Sequence, residues 1–196
     1  MRSLTTPATI AAGSLSGGPQ PVLPAADGLV LRPWVDGDAD VFLGAYRDPA
    51  IQRWHTRRPR TVTEVLGWFE QYRLDWARER GGHWAITRDG GPVLGRIAMR
   101  GFDFDDGISG CAYWVLPDAR GAGVATTALV ALSEWGLGAA GFFRLHLAHS
   151  TRNDASCRVA TKAGFPWEGT MRSDAVHADG RHDMHLHARI KTDQND

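Results

Sequence analysis

The sequence has little cysteine, no net charge and no long apolar run. Its two cysteines, Cys111 and Cys157, lack the paired spacing of a metal motif, so we expect free thiols in a reducing cytoplasm. The 22 Lys and Arg balance the 22 Asp and Glu, which argues against nucleic acid as a partner. No uninterrupted apolar run is long enough to span a membrane, and Thr, Pro and Gly break the N-terminus, which argues against a signal peptide. These absences predict a cytoplasmic protein that binds neither nucleic acid nor a membrane.

The rest of the sequence predicts one folded domain behind a tail. Residues 1–27 are rich in Ala, Gly, Pro, Ser and Thr without apolar periodicity, which predicts a flexible tail. Residues 28–192 alternate strand and helix patterns, which favours an α/β (α+β) fold with a mixed, mainly antiparallel sheet. The strand patterns lie at 28–34, 83–88, 92–100, 110–115, 143–149, 165–171 and 182–191, and the longer helix patterns at 61–80, 124–140 and 153–163.

A glycine-rich turn joins a strand to a helix near the middle of the chain. Pro117 ends the strand because it has no N–H for the sheet, and Gly121 and Gly123 allow a tight turn. Val124 then begins an apolar stripe at helical spacing. Free N–H groups at such a helix start suit an anion, and we expect a pyrophosphate there. The turn lacks the Lys-Ser/Thr of a Walker loop and the G-x-G-x-x-G of dinucleotide-binding enzymes, which disfavours an oxidoreductase.

Two segments together resemble a known family. Arg120-x-x-Gly123-x-Ala125 matches the Arg/Gln-x-x-Gly-x-Gly/Ala signature of the GNAT acetyltransferases, which hold acetyl-coenzyme A (acetyl-CoA). The stretch from Asn153 to Phe165, with its Asn-x-x-Ser and Lys-x-Gly-Phe, resembles the RimJ/RimL-type branch, the ribosomal-protein N-terminal acetyltransferases. The resemblance implies a GNAT-like twisted sheet flanked by helices and an acetyl-CoA-dependent N-acetyltransferase.

The resemblance also implies where the cofactor lies. The backbone N–H groups of the turn would hold the pyrophosphate, and the strand before it would lie beside the pantetheine arm. The Arg120 side chain could either reach a phosphate or stay solvated. Asn153 would contact the cofactor arm while capping its helix, and the Ser156 hydroxyl would protonate the leaving thiolate unless it is only a surface serine. The implied cofactor residues are Trp114, Val115, Leu116, Arg120, Gly121, Ala122, Gly123, Val124, Ala125, Asn153 and Ser156.

The general base is less well defined. Ala175 stands where the ribosomal-protein enzymes of the family have a Glu, which weakens the case for a ribosomal-protein substrate. His146 and His149 precede Asn153 on a strand and are three apart, so they face opposite sides of it. Either could be a base or hold a water, either could be structural, and deprotonation by solvent stays open. Trp54 is a candidate acceptor-binding residue.

We therefore expect transfer of an acetyl group to a primary amine of a small molecule, peptide or protein N-terminus, by direct attack in a ternary complex. The alternatives are a non-catalytic acyl-CoA sensor and a transferase of a larger acyl group such as succinyl. Surfaces on helices and an edge strand could support a homodimer. We expect no metal, because His185 and His187 share a strand face but nothing supplies further ligands at a known spacing.

Overall fold

The computed structural model describes residues 6–195 and contains an eight-stranded sheet flanked by helices. The strands are β1 (Leu23–Pro24), β2 (Leu29–Pro33), β3 (Gly81–Arg88), β4 (Val93–Asp103), β5 (Ile108–Val115), β6 (Arg144–Ser150), β7 (Trp167–His177) and β8 (Gly180–Ile190). The α-helices are α1 (Ala39–Ala45), α2 (Pro49–Trp54), α3 (Val62–Ala77), α4 (Val124–Leu137) and α5 (Asp154–Lys162). Within the described part of the chain, no helix combines the length and apolarity needed to cross a bilayer.

The sheet order is β1-β2-β3-β4-β5-β6-β8-β7, and only the β5–β6 pair is parallel among these neighbours. The predicted mixed, mainly antiparallel sheet is thus confirmed. The strand predicted to end at residue 171 continues as β7 to His177. A bulge between Met171 and Ala175, with Ser173 at φ 51°, interrupts the alternation that the prediction relied on.

The two faces of the sheet bury separate apolar cores. On one face α4 packs Leu129 and Leu132 into a cluster with Trp84. On the other face α1 and α3 bury Phe42 and Phe69 with other aromatic side chains. Strand alternation explains the division, because consecutive side chains point to opposite faces. Both cores hold β5 rigidly against β4, and this fixes the strand that leads into the glycine-rich turn.

The parallel pair opens a cleft in the sheet. β5 and β6 pair only at Ile108–Gly110 against Arg144–His146. Beyond Gly110, β5 keeps its partners on β4, where Trp114 faces Arg96, but has none on the β6 side. One edge of β5 therefore presents unpaired backbone groups next to the start of α5.

The N-terminal segment differs from the predicted flexible tail. Ile10 is only 5% exposed, and β1 pairs with β2. The carboxylate of Glu79 accepts the backbone N–H groups of Gly13, Leu15 and Ser16. Residues 9–24 are instead held by backbone hydrogen bonds and by the buried side chains of Ile10 and Leu23, and composition does not register such contacts. Residues 1–5 of the predicted tail lie outside the described residues.

Candidate active site

The glycine-rich turn forms one wall of a cleft of about 470 Å³, which we call the loop cleft. Gly121 and Gly123 have φ of 78° and 75°, a conformation that side chains with a Cβ rarely adopt. Gly123 caps α4 without any side-chain hydrogen bond, so the first N–H groups of the helix remain free for an anion. A Cβ at Gly121 would contact nothing within 4 Å, so open space lies over the turn.

Most of the predicted cofactor residues line the loop cleft. They are Trp114, Val115, Arg120, Gly121, Gly123, Val124, Ala125, Asn153 and Ser156. Leu116 packs against the second core instead, and Ala122 is an exposed residue of the turn. The Trp114 side chain is buried in the same core at 4% exposure, which leaves its backbone for the cleft.

The Arg120 side chain is 40% exposed and makes an ion pair that the sequence did not indicate. Its guanidinium Nη2 lies 2.6 Å from Oδ1 of Asp48, and its Nε donates to the Val115 carbonyl at 3.2 Å. Asp48 also accepts the N–H of Ile51 and so caps α2. The Arg120 guanidinium holds the pKa of Asp48 below its ordinary value. Arg120 thus ties the turn to α2 at the edge of the loop cleft, and its predicted contact with a phosphate stays a prediction.

A pair of hydroxyl groups lies at the inner end of the loop cleft. The Asn153 side chain accepts the N–H of Ser156 at 3.1 Å and so caps α5. The Ser156 Oγ lies 2.8 Å from the Tyr113 hydroxyl across the gap between α5 and β5. Burial raises the pKa of Tyr113 to about 12, so this phenol stays protonated at neutral pH. Sequence reasoning missed Tyr113, because nothing in its own strand marks it as functional.

A second cavity of about 730 Å³ meets the loop cleft, and we call it the arginine cavity. The residues common to both are Trp54, His55, Tyr113, Asn153 and Ser156. Its walls carry four arginines and one carboxylate, which are Arg57, Arg80, Arg96, Arg100 and Asp75. Among the described residues, no carboxylate lies within 4.0 Å of any of these arginines. The cavity is therefore strongly cationic.

Arg96 is the most deeply buried of these cations. It is 6% exposed, and its Nη2 lies 2.8 Å from Nδ1 of His83. Burial and the nearby Arg96 charge lower the pKa of His83 well below its ordinary value, so the ring is neutral and accepts this hydrogen bond. The ring of Tyr72 stacks on His83 at 3.8 Å between centroids. The Arg96 guanidinium also lies 5.6 Å from the centroid of the Tyr72 ring, and Oδ2 of Asp75 lies 3.9 Å from the other nitrogen of His83, so a ring and an indirect carboxylate partner balance part of this buried charge.

The two histidines that the sequence offers as general bases lie on opposite faces of β6, and only one of them lines a cavity. His149 lines the arginine cavity, is 5% exposed and has its Nδ1 2.9 Å from the Ser150 carbonyl oxygen. His146 lies on the other face of β6 above Gly110, where a Cβ would come within 3.0 Å of its Nε2, and it lines neither cavity among the described residues. Ala175 lines the arginine cavity and supplies no carboxylate there.

The end of α2 closes the junction of the two cavities. Trp54 is the last residue of α2, and its ring contacts that of His177 with centroids 5.9 Å apart. His55 follows it, and burial together with the Arg96 charge lowers the pKa of His55 to about 4. His55 is therefore neutral at physiological pH. Sequence reasoning missed it because its environment comes from β4, far away in the chain.

Comparison with known proteins agrees with this geometry. The uncharacterized N-acetyltransferase YoaA of Bacillus subtilis (strain 168) is 22% identical over 167 residues, which cover 84% of this chain and 94% of YoaA. The ribosomal L7/L12 alpha-N-protein acetyltransferase RimL, in complex with coenzyme A, has a TM-score of 0.81 at 18% identity, covering 87% of this chain and 98% of RimL.

The microcin C7 self-immunity acetyltransferase MccE, in complex with acetyl-CoA and AMP, has a TM-score of 0.76 at 17% identity, covering 84% of this chain and 93% of MccE. Residues 28–166 match the family model described as the acetyltransferase (GNAT) domain. This match spans most of the chain and includes the turn, α4 and α5. The chain therefore belongs to the GNAT family of acetyltransferases.

Proposed function

We propose that this enzyme transfers the acetyl group of acetyl-CoA to a primary amine of a small molecule that also carries a carboxylate or a phosphate. The observation that carries the proposal is the set of four arginines without carboxylate partners in a cavity that meets the loop cleft. Arg96 is buried, whereas Arg57, Arg80 and Arg100 are exposed residues at the cavity wall. Guanidinium groups bind carboxylate and phosphate with defined geometry, and a buried guanidinium binds them more strongly. An anionic group on the acceptor would therefore fix the position of its amine.

The loop cleft suits the acyl donor. The free N–H groups after Gly121 and at the start of α4 would hold the pyrophosphate, and the unpaired edge of β5 would take the pantetheine arm like an added strand. The thioester would then reach the junction beside Tyr113 and Ser156. The coenzyme A in the RimL structure and the acetyl-CoA in the MccE structure support a donor of this kind.

The chemistry we propose is direct attack in a ternary complex. The neutral amine attacks the thioester carbonyl, its nitrogen gives one proton to solvent, and the tetrahedral intermediate collapses as the C–S bond breaks and the coenzyme A thiolate leaves. The hydroxyl pair of Tyr113 and Ser156, 2.8 Å apart, supplies the proton that the thiolate takes up and regains one from solvent. A backbone N–H of β5 would stabilise the oxyanion.

The charge of the arginine cavity supports a reaction without a protein base. A free α-amino group has a pKa of about 8, and nearby positive charges disfavour its protonated form. Arg96 and its neighbours would therefore increase the fraction of neutral amine in the bound acceptor. The amine can then lose its proton to solvent, so the reaction does not need the carboxylate that Ala175 lacks.

The test is an acceptor panel in matched pairs, each an amine with a free carboxylate or phosphate and its neutral amide or ester. Release of free thiol from acetyl-CoA gives kcat/KM for wild type, Arg96→Gln and the control Arg78→Gln, an exposed arginine outside both cavities. We expect wild type to prefer the anionic member by about tenfold or more, equal to about 1.4 kcal/mol. Arg96→Gln should lose this preference and keep its affinity for acetyl-CoA, whereas Arg78→Gln should resemble wild type.

Equal turnover of the neutral and anionic members would contradict the proposed acceptor class and leave the donor assignment standing. Binding of acetyl-CoA without turnover of any amine would favour the acyl-CoA sensor. The same arginines could pair with the free carboxylate of a succinyl donor, so succinyl-CoA is included in the panel. A higher kcat/KM with succinyl-CoA than with acetyl-CoA would indicate that the arginines bind the acyl group of the donor rather than the acceptor.

A further inference from the structure

Four side chains that each offer a nitrogen or sulfur ligand atom converge near Ser156 of the hydroxyl pair. They are His149 on β6, Cys157 on α5, and His185 and His187 on β8, and their ligand atoms all lie within 4.8 Å of one another. The antiparallel register places His149 opposite His185, and His187 lies two residues further along the same face. Cys157 reaches this face from the helix above, with its Sγ 3.7 Å from Nε2 of His187.

We propose that His149, Cys157, His185 and His187 form a tetrahedral binding site for Zn²⁺. A Zn–N bond is about 2.0 Å and a Zn–S bond about 2.3 Å, so a tetrahedral ion holds three nitrogens and one sulfur about 3.3 to 3.6 Å apart. The ligand atoms of the cluster lie within 4.8 Å of one another, so the widest pair needs to approach by up to about 1.5 Å, which side-chain rotations would supply. Imidazole and thiolate favour zinc, whereas Mg²⁺ and Ca²⁺ need oxygen ligands.

The hydrogen bonds around the cluster prepare two of the rings as ligands. Nδ1 of His149 lies 2.9 Å from the Ser150 carbonyl oxygen, and Nδ1 of His187 lies 3.0 Å from that of Phe165. A carbonyl oxygen only accepts, so each Nδ1 carries the hydrogen and each Nε2 presents a lone pair. Zinc-binding histidines are held in this way by a partner on the second nitrogen.

Two buried nitrogens in the cluster have no partner within the described chain. They are Nε2 of His149, on a residue that is only 5% exposed, and Nδ1 of His185. A buried nitrogen without a partner costs free energy, which a bound metal ion would remove. The sequence did not predict this site, because β6, α5 and β8 each supply ligands and the spacing between them matches no known motif.

The role of this site would be structural. Four protein ligands leave no open coordination position for a water or a substrate. Binding converts the Cys157 thiol to a zinc-bound thiolate and releases one proton. The ion would join α5 to β6 and β8, and Cys157 directly follows Ser156, so it would fix the helix that presents this hydroxyl. A zinc-bound His149 has no free lone pair and cannot also act as the general base.

The test uses full-length protein without a histidine tag, stripped by a chelator and titrated with Co²⁺ and then Zn²⁺. We expect one Co²⁺ per chain, with the thiolate-to-cobalt charge-transfer band and the strong visible bands of a tetrahedral site. Zn²⁺ should displace the cobalt and raise the melting temperature. Cys157→Ser should lose the thiolate band, and His149→Ala should weaken binding by more than about 100-fold. His146→Ala is the matched control on the other face of β6 and should bind like wild type.

Absence of stoichiometric Co²⁺ binding to wild type would overturn the proposal, and so would a thiolate band that survives in Cys157→Ser. A second measurement covers the case in which the variants do not fold. Alkylation of wild type, read by peptide mass spectrometry, should modify the half-buried Cys157 in the stripped protein and spare it after zinc is added. Equal modification with and without zinc would also contradict the site.

Discussion

The loop cleft and the arginine cavity meet at Tyr113 and Ser156, but they are built in different ways. The anion-binding wall of the loop cleft is the backbone of one continuous turn and the start of α4, and α2, β5 and α5 complete the cleft. The arginine cavity is formed by side chains from α2, α3, β3, β4, β5, β6 and β7. A site made of backbone groups depends on conformation, so it tolerates most substitutions outside its glycines. A site made of side chains depends on each charge, so it can change acceptor while the fold stays the same.

The largest expected effect lies in the loop cleft. Gly123→Asp forces a side chain into the left-handed region and puts a carboxylate where the pyrophosphate should bind. The strain and the repulsion together amount to about 3 kcal/mol, so the Kd for acetyl-CoA should rise by more than about 100-fold. Isothermal titration calorimetry measures this directly. Gly123→Ala is the control that carries the strain without the charge, and an unchanged Kd in both variants would place the phosphates elsewhere.

The junction should show the next largest effect. Tyr113→Phe removes the phenol that donates toward the leaving thiolate, and kcat should fall by about 30- to 100-fold while the Kd for acetyl-CoA stays the same. Ser156→Ala should cause a loss of similar size. Because the two hydroxyls act as one unit, the double variant should be scarcely slower than either single variant. Fully additive losses in presteady-state kinetics would contradict a shared proton path.

A charge placed in the arginine cavity should change the turnover of an anionic acceptor and leave acetyl-CoA binding in the loop cleft unaffected. Ala175→Glu puts a carboxylate on its wall, where it would pair with an arginine and repel an anionic acceptor. The kcat/KM for such an acceptor should fall by about tenfold, and the affinity for acetyl-CoA should not change. Ala175→Gln has the same size without the charge and serves as the control. A rise in kcat/KM in Ala175→Glu would instead indicate that the wild-type enzyme lacks a general base that the reaction needs.

The smallest expected effect concerns the ion pair between Asp48 and Arg120, which ties the glycine-rich turn to α2. The lowered pKa of Asp48 means that its contribution to stability is present above the unfolded pKa and is lost as the pH falls through the folded pKa. Asp48→Asn keeps the cap on α2 and removes the charge, so it should cost about 0.5 to 1 kcal/mol at pH 7. Urea unfolding should show this difference shrinking toward zero in acid. A difference that persists at low pH would assign the loss to the cap.

The same contrast explains how much could be predicted from the sequence. The fold, the family and the position of the loop cleft follow from local patterns, because Gly121, Gly123 and Asn153 act through the backbone next to them. The assigned roles of Ser156 and the turn stay predictions. Arg96, His55 and Tyr113 could not be found in this way, because the burial and charge that make them notable come from distant strands and helices. The sequence places His185 and His187 on one strand face, but it does not bring His149 and Cys157 to them, so the proposed zinc site could not be predicted for the same reason.

The anchored N-terminal segment has a practical consequence for the boundaries of the enzyme. The family match begins at residue 28, but the indole N–H of Trp76 donates to the Gly18 carbonyl and that of Trp84 to the Pro21 carbonyl. A protein cut at residue 28 would leave both indoles without these acceptors and uncover the wall of the core beside α4. The described fold therefore extends upstream of residue 28, where the family match begins, and we expect a protein expressed from that residue to be less stable.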